Sequence, residues 1–322
     1  MKRRVFMATA SLAVLGLPGA RAHAAERLIG WISPESREAT APFFAALQNG
    51  LKANMPPGGD TVRVIERYGV SGPGTAQQVA ELQQQGVSLI VVQGAASVPV
   101  IQAKPSVPVV FGFSGDPVVA GIVQSMARPG GNATGMSFMS VELNAKRIDF
   151  LRTMLPACRN IALLSNARHF GEENEIAACQ RTVEGAGIVL SVWRSQSPAD
   201  VQSVVKQALD SGAQALVMLP SSSMVHQAAM TCAQSLARNV PVVSGWASIA
   251  RAGALLTYGP NLEAAYRRIG FYVVRVLGGA APASLPIEQP TSLELILNRK
   301  TADALGVTIP PTLLAQADEV IE

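Results

Sequence analysis

The sequence predicts an α/β protein of two lobes with parallel sheets, facing each other across a cleft. The first observation behind this is a segment order that occurs twice. Residues 75–112 run from a helix-like TAQQVAELQQQG through the apolar VSLIVVQ and the small residues GAAS to VPVVFG. Residues 200–245 run from DVQSVVKQALDSG through AQALVMLP and SSS to VPVVSG. The second observation is shared punctuation: Gly86 matches Gly212 and Pro108 matches Pro241, at offsets of 126 and 133 residues, so a small insertion separates the copies. The third is that the apolar runs are β-branched and too short for helices, so they read as buried strands.

Arg27 to Ile32 opens the first lobe as a strand, followed by a helix over Pro42 to Lys52 and a strand over Val62 to Arg67. The repeated unit then supplies the helix Thr75 to Gln85 and the strands Leu89 to Val92 and Val109 to Phe111. A turn-rich segment, Arg128 to Gly135, leads into a short strand near Thr134 to Ser137. In the second lobe an amphipathic helix over Val141 to Leu155 is stopped by Pro156. Strands over Asn160 to Leu164 and Ile188 to Trp193 flank a helix over Glu172 to Glu184, and Ala215 to Leu219 and Val242 to Val243 follow as strands. Ala254 to Tyr258 reads as a last strand, and Tyr258-Gly259-Pro260 as the return crossing. Asn261 is placed to cap a helix over Leu262 to Val276 that belongs with the first lobe. The tail is extended over Ala280 to Pro290, then a strand over Leu293 to Leu297 and a helix over Lys300 to Leu305. The expected division is 1–24 as leader, 25–138 plus 259–283 as first lobe, and 139–258 plus 284–322 as second lobe.

The leader is read from Lys2, Arg3 and Arg4, the apolar stretch Met7 to Leu17, and the small residues Ala22-His23-Ala24. That apolar stretch is too short to span a bilayer, which needs about 20 residues. Arg3-Arg4 leaves both the Sec and the twin-arginine routes open, so the expectation is a periplasmic protein cleaved after Ala24. Of the 26 Lys and Arg and 22 Asp and Glu, the leader holds four basic residues and no acidic one, so the remainder is formally neutral. The net charge of +4 therefore gives no support to a nucleic-acid partner. No later segment is long and apolar enough for stable membrane insertion. Cys158, Cys179 and Cys232 are an odd number; they read as buried small apolar residues, with a Cys158–Cys179 disulfide as the alternative.

In open parallel sheets ligands sit beyond the carboxyl ends of the strands, and that rule nominates the cleft residues. From the first lobe come Ser33, Glu35, Gln93, Gly94, Ala95, Ser114 and Asp116; from the second come Asn166, His169, Ser221, Ser222 and Trp246. Phe138 and Tyr258 join them at the crossings. The turns Gln93 to Ser97 and Pro220 to Ser223 both follow a buried strand and open a helix, where free N–H groups favour a carboxylate; for any one serine an ordinary helix cap is the competing reading. Asp116, in Ser-Gly-Asp-Pro, faces either a ligand ammonium or its own following turn. Glu35 is a second candidate for a cation, or a solvated loop charge. Trp246 is either an aromatic wall or a satellite core residue, and His169 competes with a packing role. No G-x-S-x-G elbow, P-loop or H-E-x-x-H occurs, and Gly72-Pro-Gly-Thr-Ala-Gln77 lacks the third glycine of a dinucleotide fingerprint. The expectation is no catalytic residue, no metal site, no cofactor and no enzyme.

Phe111-Gly-Phe-Ser-Gly-Asp-Pro through Arg128-Pro-Gly-Gly-Asn-Ala-Thr-Gly135 resembles the ABC transporter substrate-binding protein family, often described as an uncharacterised ABC-type periplasmic component. Glu142-Leu-Asn-Ala-Lys-Arg-Ile-Asp-Phe-Leu-Arg-Thr-Met-Leu-Pro156 and the tail from Gln289 to Glu322 continue the likeness over essentially the whole mature chain. The resemblance implies a type I periplasmic binding protein fold, two Rossmann-like lobes joined by three hinge strands, and ligand delivery to an ABC-type membrane permease. Family members often carry a His-Pro-rich loop where this chain has Ser33-Pro34-Glu35-Ser36, and a Gly-Val-Asp-Tyr-like stretch where it has Tyr258-Gly259-Pro260-Asn261. The expected function is therefore an exported solute-binding protein that closes on a small carboxylate-bearing ligand, such as an amino acid or aromatic acid. A ligand sensor presenting its state to a membrane receptor and, further off, an exported enzyme are the rival readings.

Overall fold

A computed structural model describes residues 25–70, 72–138 and 141–322. The expected leader, with its cleavage after Ala24, and residues 139–140 of the first crossing lie outside the described residues.

The first sheet is parallel throughout, in the order β2-β1-β3-β4-β5. Its strands are β1 (Glu26–Ile32), β2 (Thr61–Arg67), β3 (Leu89–Gln93), β4 (Val109–Phe113) and β5 (Ala133–Ser137). Every residue of β3 is buried because both faces are covered. Leu89 and Val91 pack with Trp31, Leu47 and Ile269 under α1 (Arg37–Asn54). Ile90 and Val92 turn the other way, to Leu82 and Val100, under α2 (Thr75–Gln84) and α3 (Ser97–Gln102). Each such side chain contributes ~1.5–3 kcal/mol on burial. Helix α1 starts at Arg37 rather than at Pro42, because Ser36 Oγ accepts the Ala39 N–H at 3.2 Å and sets the first turn.

The second sheet has the order β12-β11-β10-β9-β8-β6-β7. After α4 (Val141–Met154) it runs through β6 (Asn160–Asn166), α5 (Glu172–Val183), β7 (Val189–Ser195), α6 (Val201–Asp210), β8 (Ala215–Met218), α7 (Ser222–Leu236), β9 (Val242–Ser244), α8 (Ala247–Arg251) and β10 (Leu256–Pro260). The stretch Tyr258–Pro260, expected as a crossing, is strand. It pairs antiparallel with β11 (Leu293–Asn298), Tyr258 opposite Leu295 and Pro260 opposite Leu293. The expected helix over Lys300 to Leu305 is α10 (Arg299–Leu305), and two short elements that the apolar pattern does not announce finish the fold: α11 (Pro311–Leu314) and β12 (Glu319–Ile321), the last parallel to β11.

Between β10 and β11 the chain returns to the first sheet as α9 (Leu262–Leu277), whose N-terminus is capped by Asn261 Oδ1 accepting from Ala264 N at 2.8 Å. Tyr266, Ile269 and Val273 bury against the first sheet. The crossing with α1 is glycine-lined: a Cβ on Gly270 would lie 2.6 Å from the Gly50 carbonyl carbon, and one on Gly50 would strike the Arg267 carbonyl. The following segment stays on the first lobe through Glu288. Thr134 Oγ1 donates to the Leu285 carbonyl, Ile287 enters the first-lobe core, and Glu288 bridges Met136. Cys158, Cys179 and Cys232 are buried free thiols. Among the described residues no helix is long and apolar enough to cross a membrane.

Candidate functional site

The carboxyl ends of β1, β3 and β4 face those of β6, β8 and β9, and two connected chambers lie between them. The first is apolar. Phe43 on α1, Phe138 after β5, and Leu262 and Tyr266 on α9 line it from the first lobe; Val225 on α7 and Trp246 before α8 line it from the second. Its free volume is about 90 Å³. Aromatic edges brace the wall: Phe138 meets Tyr266 at 5.5 Å and Phe43 stacks on Tyr266 at 5.1 Å. The second chamber, of about 550 Å³, adds polar side chains to a largely apolar lining. Asn166, Arg168 and His169 line it from the loop after β6, Ser221 and Ser223 from the start of α7, and Pro34, Ala95 and Phe113 from the opposite lobe. Glu35, Ser114 and His226 border both chambers, so they form a single cleft.

The lobes touch across this cleft. Glu35 on the first pairs with His226 on the second. The Asp116 N–H donates to the Phe170 carbonyl at 3.0 Å, and the nearby Ser114 backbone favours the protonated form of His169. Behind His169 lies a buried charged cluster. Burial pushes the His169 imidazole down to about 4 and the Glu175 carboxyl up to about 7, Arg147 opposing the latter shift. His169 Nε2 and Glu175 Oε2 face each other at 3.6 Å, too far for a hydrogen bond, and neither atom has a partner among the described residues. The fully buried Arg147 guanidinium, drawn down to about 10 by desolvation, stays cationic at neutral pH. It donates to the Tyr258 carbonyl at 2.8 Å and to Asn144.

Of the residues nominated from the sequence, Glu35, Gln93, Gly94, Ser114, Phe138 and Trp246 line the apolar chamber, and Ala95, Asn166, His169 and Ser221 the second one. Three others sit elsewhere. Ser33 is buried beneath, its Oγ accepting from Glu35 N at 3.0 Å, so it positions that carboxylate. Asp116 Oδ1 accepts from the N–H groups of Val118 and Val119 at 2.8 and 3.1 Å, which is the turn-capping alternative. Tyr258 packs its ring on Phe150 at 5.1 Å. Ser222 opens α7, and its side chain lies outside the described residues. Ser221 Oγ caps α7 through Met224 N and contacts Ser223 Oγ, which accepts from Asn166 Nδ2 at 2.8 Å.

Sequence reasoning did not single out Thr40, Phe43, Arg168, Val225, His226, Leu262 or Tyr266. Arg168 lies inside a nominated loop and brings an exposed cation to the second chamber. The others sit on helix faces, and only tertiary packing turns those faces toward the cleft. A signal for His226 does exist: it falls one turn beyond Ser222 on the helix that the serine turn opens.

Residues 32–321 match the family model described as ABC transporter substrate binding protein. The chain belongs to that family. The fold is that of type I periplasmic binding proteins. A structure from Streptococcus pneumoniae in complex with L-Trp superposes with a TM-score of 0.84 at 21% identity, covering 92% of this chain and 100% of that one. A ligand-free, open substrate-binding protein with adhesive properties from Clostridium difficile gives 0.68 at 19% identity, covering 92% and 99%. A tyrosine-binding protein of Clostridioides difficile is 21% identical over 192 residues, 58% of this chain and 54% of that relative. The chain thus spans about half the length of the curated relative it matches.

Proposed function

We propose that this chain is the exported binding component of an ABC importer, closing two lobes on a small carboxylate-bearing ligand with an aromatic or other apolar part. The observation that carries this is the pairing, in one cleft, of an apolar chamber with a second that adds polar side chains, each lined from both lobes. Arg168, Asn166 and Ser223 are arranged for the carboxylate, Glu35 for an amine, and the Phe138–Tyr266 wall for the apolar part. The relatives described with tyrosine and L-Trp are consistent with an aromatic amino acid. Because ligand contacts to both lobes exist together only when the cleft is closed, the ligand favours closure by its differential affinity for that state. Closed lobes then present a joint surface to a membrane permease.

The test is thermal unfolding of the mature protein, stripped of carried ligand by refolding, against amino acids, aromatic acids, sugars and peptides. An acid at a hundred times its dissociation constant stabilises by about 2.7 kcal/mol, which a melting curve resolves. Arg168→Ala and Glu35→Gln are expected to weaken an aromatic amino acid at least tenfold. A shift with sugars alone, or full affinity in both variants, overturns the assignment.

A further inference from the structure

The apolar chamber contains two polar atoms that the chain leaves unused. Gln93 Oε1 and Trp246 Nε1 are buried without a hydrogen-bond partner among the described residues, in side chains 7% and 8% exposed. Gln93 ends β3 on the first lobe, Trp246 precedes α8 on the second, and both line the same chamber. Two other polar groups there are engaged: Thr40 Oγ1 donates to the Ser36 carbonyl at 3.0 Å, and Glu35 pairs with His226. A buried polar atom left without a partner is destabilising, so two in one chamber, one on each lobe, point to an occupant that satisfies both.

Their chemistry narrows that occupant. The Gln93 carbonyl only accepts and the Trp246 indole N–H only donates. With the ligand's carboxylate held at Arg168 and its amine at Glu35, what remains for this pair is the apolar part, and a bare phenyl ring satisfies neither atom. A hydroxyl donates and accepts at once. Resting on the reading of this cleft as the ligand site, we propose that Gln93 and Trp246 are a specificity-determining pair that reads a hydroxyl on the ligand's apolar part. The cleft then prefers a hydroxyphenyl acid to its phenyl counterpart. The chamber, at about 90 Å³, is smaller than the roughly 150 Å³ that holds benzene, so a ring enters with the lobes slightly parted and its hydroxyl bridges them as they close.

Two matched pairs test this by calorimetry on the stripped mature protein: L-tyrosine against L-phenylalanine, and 4-hydroxyphenylacetate against phenylacetate. Sites built to bond a hydroxyl reject the analogue without it strongly, so the hydroxyl member is expected to bind at least tenfold tighter in one pair or both. Gln93→Met removes the acceptor and Trp246→Phe the donor while keeping a ring. Each is expected to bring the two members of a pair within about twofold, and retained affinity for the phenyl member shows that the variant is folded. Equal affinity in the unaltered protein, or a preference that survives both substitutions, overturns the pair's role and leaves the cleft reading standing. If none of the four acids binds, this assignment falls, while the cleft reading is decided by the wider panel of acids.

Discussion

His169 and Glu175 illustrate at the residue scale how burial sets charge at the lobe contact. Free histidine titrates near 6.5 and this one near about 4, so between those values the unfolded chain holds a proton that the folded chain lacks. That contribution falls away on acidification. Glu175, raised from 4.5 to about 7, does the opposite: the folded chain holds the extra proton, and stability falls as pH rises through that window. Between 4.5 and 6.5 the two slopes oppose, the folded chain keeping its proton on Glu175 and leaving His169 neutral. Glu175→Gln therefore exposes the histidine slope, a loss of up to about 1.4 kcal/mol per pH unit below 6.5. Circular-dichroism melting of both proteins from pH 4.5 to 7 reads this directly, and parallel profiles would refute it. The sequence placed Glu35, Gln93, Ser114, Asn166 and Trp246 at the cleft because strand ends in a parallel sheet point there. It did not reach Phe43 or Tyr266, which belong to the packing of α1 and α9, nor could it decide between ligand and cap for Asp116, since both use the same carboxylate.

The α1–α9 crossing carries the element scale. Asn261 starts α9 and its apolar stripe faces the sheet, features legible in the sequence, as was its return to the first lobe. What no local pattern announces is how close the two helices come. Gly50 and Gly270 leave no room for a Cβ, so their backbones meet. In an open helix, glycine to alanine stabilises by up to about 1 kcal/mol. Here Gly270→Ala is expected to destabilise by about 1–3 kcal/mol through overpacking, seen as a lower urea midpoint with an unchanged slope. A neutral or stabilising result would mean that the helices move apart freely. The buried strands were legible for a related reason: runs such as Leu89 to Val92, buried on both faces, have only one reading at that length. The continuation of β10 through Pro260 was not, because it depends on a partner strand, β11, more than thirty residues downstream. Short β12 and α11 escape for want of any periodicity.

Closure, under the proposed function, belongs to the whole molecule, and the contacts between the lobes include the Glu35–His226 pair, the Asp116 N–H to Phe170 carbonyl bond, the Phe113 and Phe170 rings at 6.3 Å, and Leu262, which packs against the cores of both lobes. In that reading these contacts set how far the ligand-free lobes stay together, and loss of one of them shifts the balance between open and closed molecules. The Glu35–His226 pair has one half-exposed partner, and such a pair is worth ~0–1 kcal/mol. Its loss therefore shifts the ratio of closed to open molecules by up to about fivefold. His226→Ala is expected to enlarge the radius of gyration of the ligand-free protein in small-angle scattering, and high salt should reproduce part of that change. A bound aromatic amino acid brings contacts of its own to both lobes, so saturating ligand should return the variant to the compact dimension of the unaltered protein. Affinity should then fall by no more than the shift in the closed fraction. A larger loss would make His226 a direct ligand contact. No change in ligand-free dimension would show that the remaining contacts alone hold the cleft closed.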